Sequence, residues 1–270
     1  MIELLSYGFM QRALLAVIAI SLFAPILGIF LILRSQSLMS DTLSHVSLAG
    51  VALGLALGLS PTFSTLFVVV LAALFLEYLR TVYQHHMEIA TAILMSLGLA
   101  ISLMIMSKIE AGSSLSLDQY LFGSIITIST GQVWGLFLMA ILILVLTFLF
   151  IRPMYLLTFD EDTAFVDGLP VRLMSLLFNV ITGIAISLMI PAAGALLVST
   201  IMVLPASIAM RLGRSFRSVI LLAIVIGFIG MVGGVFASYF WETPASATIT
   251  IIFVALFLVT GLCRFLRVKK

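Results

Sequence analysis

The sequence predicts an all-α protein that crosses a membrane many times, and three observations support this fold class. Of its 270 residues, 63% are hydrophobic and only 9% are charged, whereas soluble chains carry about 25% charged residues. The apolar residues form runs of about 20, which is the length of a helix that spans a bilayer. Polar and apolar positions do not alternate within these runs, so a membrane β-barrel is excluded.

Nine spans are predicted, and turn signals such as Ser60-Pro61 and Ile190-Pro191 separate them. The spans use nearly all of the chain, so we expect one transmembrane domain over residues 1–270 and no separate soluble domain. Their approximate bounds are 12–33, 38–59, 62–79, 88–107, 132–151, 172–190, 193–211, 217–238 and 245–265.

The segment from Leu115 to Ser129 does not fit as a span, because it begins with polar residues and is too short. A helix of about 13 residues covers only about 20 Å. We predict a short re-entrant or surface helix on the outer side. Residues 2–10 are predicted as a short interfacial helix before the first span.

Basic residues predict the orientation of the spans, since cytoplasmic loops are enriched in lysine and arginine. Most of them fall on one side of the predicted bundle, which places the N-terminus outside and the C-terminus inside; Arg12 and Lys108 are the exceptions. The basic residues on the predicted cytoplasmic side are Arg34, Arg80, Arg152, Arg172, Arg211, Arg214, Arg217, Arg264, Arg267, Lys269 and Lys270. These charges lie at helix ends, so the net charge of +2 gives no indication of nucleic-acid binding.

Asp41 and His45 are the most informative residues, because they are ionisable groups within the predicted second span. A charged side chain inside a membrane helix costs about 2.5–3.5 kcal/mol and usually faces an interior or a watery path. Residues four apart share one face of a helix. Carboxylate and imidazole are ligands that zinc accepts, but the pair is also compatible with a structural role, hydrogen-bonded to neighbouring helices.

Two stretches on the predicted cytoplasmic side are candidates for contact with a soluble partner. The first, residues 158–171, concentrates four acidic residues and is alternatively a solvated loop. The second, residues 205–217, predicts a short helix between Pro205 and Gly213 that ends in three arginines, and it is alternatively a simple positive-inside anchor.

These motifs resemble the integral membrane permeases of metal-ion ABC importers, most closely the zinc permeases of streptococcus-like bacteria. The matching stretches are residues 38–50 with Asp41 and His45, residues 159–171, and residues 194–207. The later two are distantly similar to loops of vitamin and siderophore importers. The resemblance covers essentially the whole chain. It implies a protein of the bacterial cytoplasmic membrane with a fold similar to that of the vitamin and siderophore importer permeases.

The resemblance implies a homodimer, two cytoplasmic ATP-binding subunits and an extracellular metal-binding receptor. Zinc or manganese is then the transported substrate, and no permanently bound cofactor is expected. The metal ligands are Asp41 and His45. The residues that contact the ATP-binding subunit are Asp160, Glu161, Ala164, Gly168, Pro205, Ala206, Ser207, Arg211 and Gly213.

Several function classes are disfavoured by the sequence itself. It contains no phosphate-binding loop of the Gly-x-x-x-x-Gly-Lys-Ser/Thr type, so the chain is predicted to be a transport subunit rather than an ATPase. It also contains no His-Glu-x-x-His motif of a metalloprotease. An ion-coupled secondary transporter remains an alternative, although few charges lie within the spans. His85, His86 and Glu88 form a second candidate metal site, or simply an exposed polar loop.

Overall fold

The structure is a computed structural model that describes residues 7–83, 87–109, 117–123 and 128–268. In these ranges it contains eleven helices and no strand, and nine of the helices are long and apolar enough to cross a membrane. The predicted all-α fold with about nine spans is thereby confirmed. The helices are α1 (Gly8–Leu33), α2 (Leu38–Leu57), α3 (Pro61–Val82), α4 (Met87–Met106), α5 (Leu117–Phe122), α6 (Thr130–Phe159), α7 (Glu161–Val166), α8 (Val171–Ala193), α9 (Ala195–Leu212), α10 (Phe216–Trp241) and α11 (Ala245–Val268).

Helix α1 lies at the centre of the bundle, where it packs against α6, α9 and α10. It is apolar on all sides, which is typical of a helix surrounded by other helices. Phe23 and Ile29 are completely buried on it. Helix α1 is continuous from Gly8. Residues 8–10 of the predicted interfacial helix (residues 2–10) therefore belong to α1 and not to a separate element. Residues 1–6 lie outside the described part.

Helix α2 packs against α3 and α4, and also contacts α8 and α9. Its contact with α4 is especially close at Gly98, where an added Cβ atom would lie 2.8 Å from the Cα atom of Val46. Small residues allow such close approach between membrane helices. The backbone of α4 therefore fixes the position of the first half of α2.

The turn between α8 and α9 differs from the prediction. A break was expected at Ile190-Pro191, but α8 continues through Pro191 to Ala193 and ends at Gly194. Gly194 has a φ of +81°, and an added Cβ atom there would lie 2.3 Å from the backbone nitrogen of Gly123. Only glycine meets both conditions, so the break falls there.

The short helix α5 has six residues and packs against α8 and α9. Its length of about 9 Å is far too short to cross a membrane. This agrees with the predicted re-entrant or surface helix, of which residues 115, 116 and 124–127 lie outside the described part. Its contact with Gly194 places it at the end of the bundle opposite to Arg34 and Arg80.

Helices α6 and α9 both pass through a proline. The predicted fifth span ended near residue 151, but α6 continues to Phe159, with a kink at Phe150, where φ is −108° and ψ is 16°. Pro153 explains the kink, since its ring displaces the carbonyl groups of the preceding turn. Pro205 lies within the continuous helix α9, so the predicted short helix between Pro205 and Gly213 is the last part of that span.

Candidate metal site

Asp41 and His45 lie in the first two turns of α2. Both side chains are half-buried, whereas Thr42, Leu43 and Ser44 between them are buried. Residues four apart on a helix are neighbours on its surface. The two side chains therefore form a partly open strip on α2, near the end of the bundle that carries Arg34 and Arg80. We call this end the arginine-rich end.

The other polar side chains of this region bond to the backbone. The hydroxyl of Ser44 donates to the carbonyl of Ser40 at 2.8 Å. The hydroxyl of Thr42 lies 3.0 Å from the carbonyl of Leu38 and 3.3 Å from that of Thr91 on α4. These hydroxyls are therefore satisfied locally and do not serve as partners for Asp41 or His45.

His45 and Asp41 differ from those neighbours. The Nδ1 atom of His45 is buried and has no hydrogen-bond partner. The carboxylate of Asp41 is half-buried and makes no hydrogen bond or ion pair within the described part of the chain. An unpartnered buried polar group is costly, so such a group indicates an occupant that the protein itself does not supply.

The donor set fits a divalent metal ion, because zinc and manganese both accept imidazole nitrogen and carboxylate oxygen. Asp41 also lies in the first turn of α2, where the helix dipole stabilises a negative charge. One chain supplies only part of a coordination shell. No group of three or more His, Cys, Asp and Glu side chains converges within the described residues.

Gly98 gives a direct test of how α4 positions this site. We expect Gly98→Val to abolish metal uptake, because the new side chain has no space beside Val46 and forces α2, with His45, away from α4. The measurement is metal uptake by cells that express equal amounts of each variant. Gly233→Val is the matched control, since an added Cβ atom at Gly233 meets nothing within 4 Å. Equal uptake by both variants would contradict this role for Gly98.

A buried polar network occupies the arginine-rich end beside the strip. Arg80 on α3 donates to both carboxylate oxygens of Glu161, at 2.6 and 2.7 Å, and lies 3.5 Å from Glu77. It also donates to the hydroxyl of Ser175 on α8. Asn179 donates to Glu77 at 2.5 Å. The network thus joins α3 and α8 to the short helix α7.

Arg34, which follows α1, extends this network. It donates to Ser175 at 2.5 Å, and its guanidinium lies 5.2 Å from the ring centre of Phe178. Burial, with a smaller effect of the Arg80 charge, lowers the pKa of Arg34 to about 10. Arg34 is therefore still charged at neutral pH.

Sequence reasoning missed the network because its members lie far apart along the chain. Asn179 was a detectable signal, since it is a polar residue within an apolar span. A second detectable signal was the pair of Glu77 and Arg80, which are three residues apart on α3 and so lie on one face of the helix.

The first predicted partner-contacting stretch contains helix α7. Asp160 is its N-cap and accepts hydrogen bonds from the backbone and hydroxyl of Thr163, which lower the pKa of Asp160. Ala164 is fully buried, while Glu161 and Gly168 are exposed. Phe165 and Val166 are also exposed, at 73% and 83%. The helix is therefore anchored on one side and presents an apolar surface on the other.

The second stretch is the last part of α9. Pro205 and Ala206 are buried, and Ala206 packs with Ile29 of α1. Arg211 donates to the carbonyl of Phe257 on α11 and lies over its ring at 3.7 Å. The half-exposed Ser207 and Gly213 complete the predicted set. Whereas α7 packs against α6 and α8, this part of α9 contacts α1, α10 and α11.

The second candidate metal site is described only in part. His85 and His86 lie outside the described residues, while Glu88 is exposed in the first turn of α4. Glu88 is one of the residues that line a small cavity, together with Met39 of α2 and Asn179 of α8.

The nine spans and the partly buried ionisable strip define a multi-pass membrane transport protein. The chain matches the ABC 3 transport family over residues 6–264. It therefore belongs to this family, and the resemblance to the permeases of metal-ion ABC importers is confirmed.

Similar proteins have closely matching lengths. A probable metal transport system membrane protein of Treponema pallidum is 30% identical, over 96% of this chain and 97% of that protein. The manganese transport system membrane protein MntC of Halalkalibacterium halodurans is 27% identical over 94% and 87%. The high-affinity zinc uptake system membrane protein ZnuB of Buchnera aphidicola is 27% identical over 93% and 94%.

A solved structure supports the same fold. It is the structure of PsaBC from Streptococcus pneumoniae in complex with Fab, which matches with a TM-score of 0.87 and 28% identity. The match covers 100% of this chain and 98% of that one.

Proposed function

We propose that this chain is the permease subunit of an ATP-driven zinc importer of the bacterial cytoplasmic membrane, with residues 1–270 as one transmembrane domain. The observation that carries the proposal is the strip of Asp41 and His45, with a buried imidazole nitrogen that has no partner. Membership of the ABC 3 transport family and relatives named for zinc and manganese transport support it.

The metal site needs a second copy of the chain. Zinc is usually bound by four ligands, and one chain supplies two. A twofold axis beside the strip brings Asp41 and His45 together with the same residues of the partner. The partial exposure of both side chains in one chain is consistent with such a shared site.

Zinc is the proposed substrate because two imidazoles and two carboxylates suit it well. The alternative is manganese or iron, which the same donor set accepts, and one of the relatives is named for manganese transport. An incomplete or water-filled shell suits a transported ion, since the ion must also be released.

The energy comes from a separate ATP-binding subunit that docks at the arginine-rich end, which faces the cytoplasm. The exposed apolar side of α7, with Phe165 and Val166, is a surface suited to a protein partner. We propose that Asp160, Glu161 and Gly168 contact the ATP-binding subunit here, while the fully buried Ala164 anchors α7 against Leu157 and Val171 rather than touching a partner.

The end of α9 is the second docking element. On α9 the residues proposed to contact it are Ser207, Arg211 and Gly213, which are half-exposed, whereas Pro205 and Ala206 are buried in the bundle and hold this part of the helix in place.

An extracellular receptor delivers the metal at the opposite end. A groove of about 690 Å³ lies there between α1, α5 and the α10–α11 turn. Phe122, Tyr239, Phe240 and Glu242 line it. Aromatic and charged groups of this kind suit transient docking.

The test is metal uptake into liposomes that contain the chain and its ATP-binding subunit. We expect ATP-dependent zinc accumulation only when a zinc-loaded receptor is added outside. Manganese accumulation without zinc accumulation would assign the substrate to manganese instead. Equal accumulation from free metal without ATP or receptor would refute an ABC importer and favour a secondary transporter.

A further inference from the structure

Helix α7 lies between two breaks in the helical backbone. On its N-terminal side, α6 is kinked at Phe150, where φ is −108° and ψ is 16°, and Pro153 follows within that helix. On its C-terminal side, Gly168 has a φ of +80°, and an added Cβ atom there would meet nothing within 4 Å. Hinges are short segments of this kind, in which a few residues absorb a change in φ and ψ. The position of α7 therefore depends on the contacts that hold it between these two points.

An apolar and a polar contact hold α7 against the bundle. In the apolar contact, Ala164 is fully buried against Leu157 of α6 and Val171 of α8. In the polar contact, Arg80 on α3 donates to both carboxylate oxygens of Glu161, at 2.6 and 2.7 Å. A bond with two such points between a guanidinium and a carboxylate fixes orientation as well as distance. The Arg80–Glu161 bridge therefore sets how α7 lies relative to α3.

The two ends of the bridge have different surroundings. The side chain of Arg80 is only 19% exposed, lies 3.5 Å from Glu77 and donates to the hydroxyl of Ser175 on α8. These contacts fix Arg80 within the bundle. The side chain of Glu161 is 48% exposed, on the helix whose apolar side is open to a partner. A protein that moves α7 consequently pulls on Glu161, and the pull reaches α3 through Arg80.

Helix α3 is in turn closely packed on α2, which carries the candidate metal site. An added Cβ atom at Gly50 would lie 2.6 Å from the Cα atom of Thr65. An added Cβ atom at Gly54 would lie 3.0 Å from the Cα atom of Pro61. Small residues allow the two backbones to approach this closely, with no side chain between them to yield. Because a packed interior has low compressibility and transmits strain, a displacement of α3 also displaces α2.

We propose that the Arg80–Glu161 bridge is the link through which the ATP-binding subunit moves the metal site. The subunit displaces α7, the bridge carries the displacement to α3, and the packed pair of α2 and α3 shifts Asp41 and His45. Arg80 is a positioning residue, because it touches neither the metal nor the ATP-binding subunit. This role rests on the proposed function, since it requires an ATP-binding subunit at α7.

The experiment compares metal uptake with ATP hydrolysis in liposomes that contain the full-length chain and its ATP-binding subunit. A metal-loaded receptor is added outside, with zinc and, in a parallel assay, with manganese. Arg80→Lys keeps a cation beside Glu77 but loses the two-point bond to Glu161, because an ammonium group is not a planar fork. We expect the number of metal ions accumulated per ATP hydrolysed to fall at least about fivefold, the lower end of typical coupling between sites. ATP hydrolysis and the amount of bound ATP-binding subunit are expected to be unchanged.

Arg152→Lys is the matched control. Arg152 is an exposed arginine on α6 at the same end of the bundle, and it makes no hydrogen bond or ion pair within the described residues. This variant is expected to keep the ratio of accumulated metal to hydrolysed ATP. The ratio separates coupling from folding, because a loss of folded complex lowers uptake and hydrolysis together.

Glu161→Gln changes the other end of the bridge by removing its charge and one acceptor oxygen. We expect the ratio of accumulated metal to hydrolysed ATP to fall as far as in Arg80→Lys. The double variant Arg80→Lys/Glu161→Gln is expected to lose no more than either single variant, since both changes break the same bond.

Three results would overturn the coupling role of the bridge while the unmodified complex accumulates metal normally. The first is an unchanged ratio in both Arg80→Lys and Glu161→Gln. The second is a parallel fall of uptake and hydrolysis, which would make the bridge merely structural. The third is a double variant in which the two effects multiply, since each residue would then act separately. Failure of the unmodified complex to accumulate metal with ATP would instead refute the proposed function, and this role with it.

Discussion

Asp41→Ala and His45→Ala are each expected to abolish metal uptake while the protein still inserts into the membrane. Each change removes half of the ligands that one chain supplies, and a shell with only two of four ligands binds a transported ion too weakly. Removing a charged group from a membrane helix makes insertion easier, so expression is expected to be retained. The measurement is radioactive zinc uptake normalised to the amount of protein in the membrane.

Leu57→Ala is the control for this prediction. Leu57 is 67% exposed at the other end of the same helix, so its truncation leaves the strip intact, and normal uptake is expected. The site assignment would be wrong if well-expressed Asp41→Ala and His45→Ala variants both supported growth under zinc limitation. Their side chains would then have only a structural role.

Much of the fold follows from local physical rules that the sequence displays directly. Runs of apolar residues have the length of a bilayer, and the basic residues at their ends predict which ends lie together. Arg34 and Arg80, predicted on one side, both bond to Ser175 in the structure. The helix bounds agree to within a few residues, except that α6 continues past residue 151 to Phe159 and α8 continues through the break predicted at Ile190-Pro191.

The exceptions share one physical cause. Pro153 and Pro191 lie within helices because neighbouring helices hold the backbone in place, and tertiary packing outweighs the local penalty of proline. The break between the helices falls at Gly194 and depends on a contact with Gly123, which lies 71 residues earlier in the chain. Periodicity and turn signals contain no information about such a contact.

The candidate site could be predicted only in part for a similar reason. The spacing of Asp41 and His45 shows that they share a helix face, and this requires no tertiary information. The cavity formed by Gln36, Glu88 and Asn179 depends on the packing of α2, α4 and α8. In the sequence Gln36 and Asn179 are ordinary polar residues, and only the burial of their amide oxygens without a hydrogen-bond partner distinguishes them.

Arg80→Met is expected to destabilise the protein strongly, by about 3–5 kcal/mol, because it leaves a buried carboxylate without its cation. Glu77 is only 8% exposed and lies 3.5 Å from Arg80. Glu161→Gln removes the other acidic partner, but Glu161 is 48% exposed, so a cost of only about 0–1 kcal/mol is expected. Thermal unfolding in detergent measures both changes.

The double variant Glu77→Gln/Arg80→Met shows how much of the lost stability comes from the uncompensated charge of Glu77 and how much from the lost contacts of Arg80. Replacing both members of a buried ion pair removes the charge that was left uncompensated, so most of the stability is expected to return. The amide of Gln at position 77 still accepts a hydrogen bond from Asn179 through its oxygen. Equal destabilisation by Glu161→Gln and Arg80→Met would show instead that the bridge to α7, rather than the buried charge of Glu77, holds this end of the bundle together.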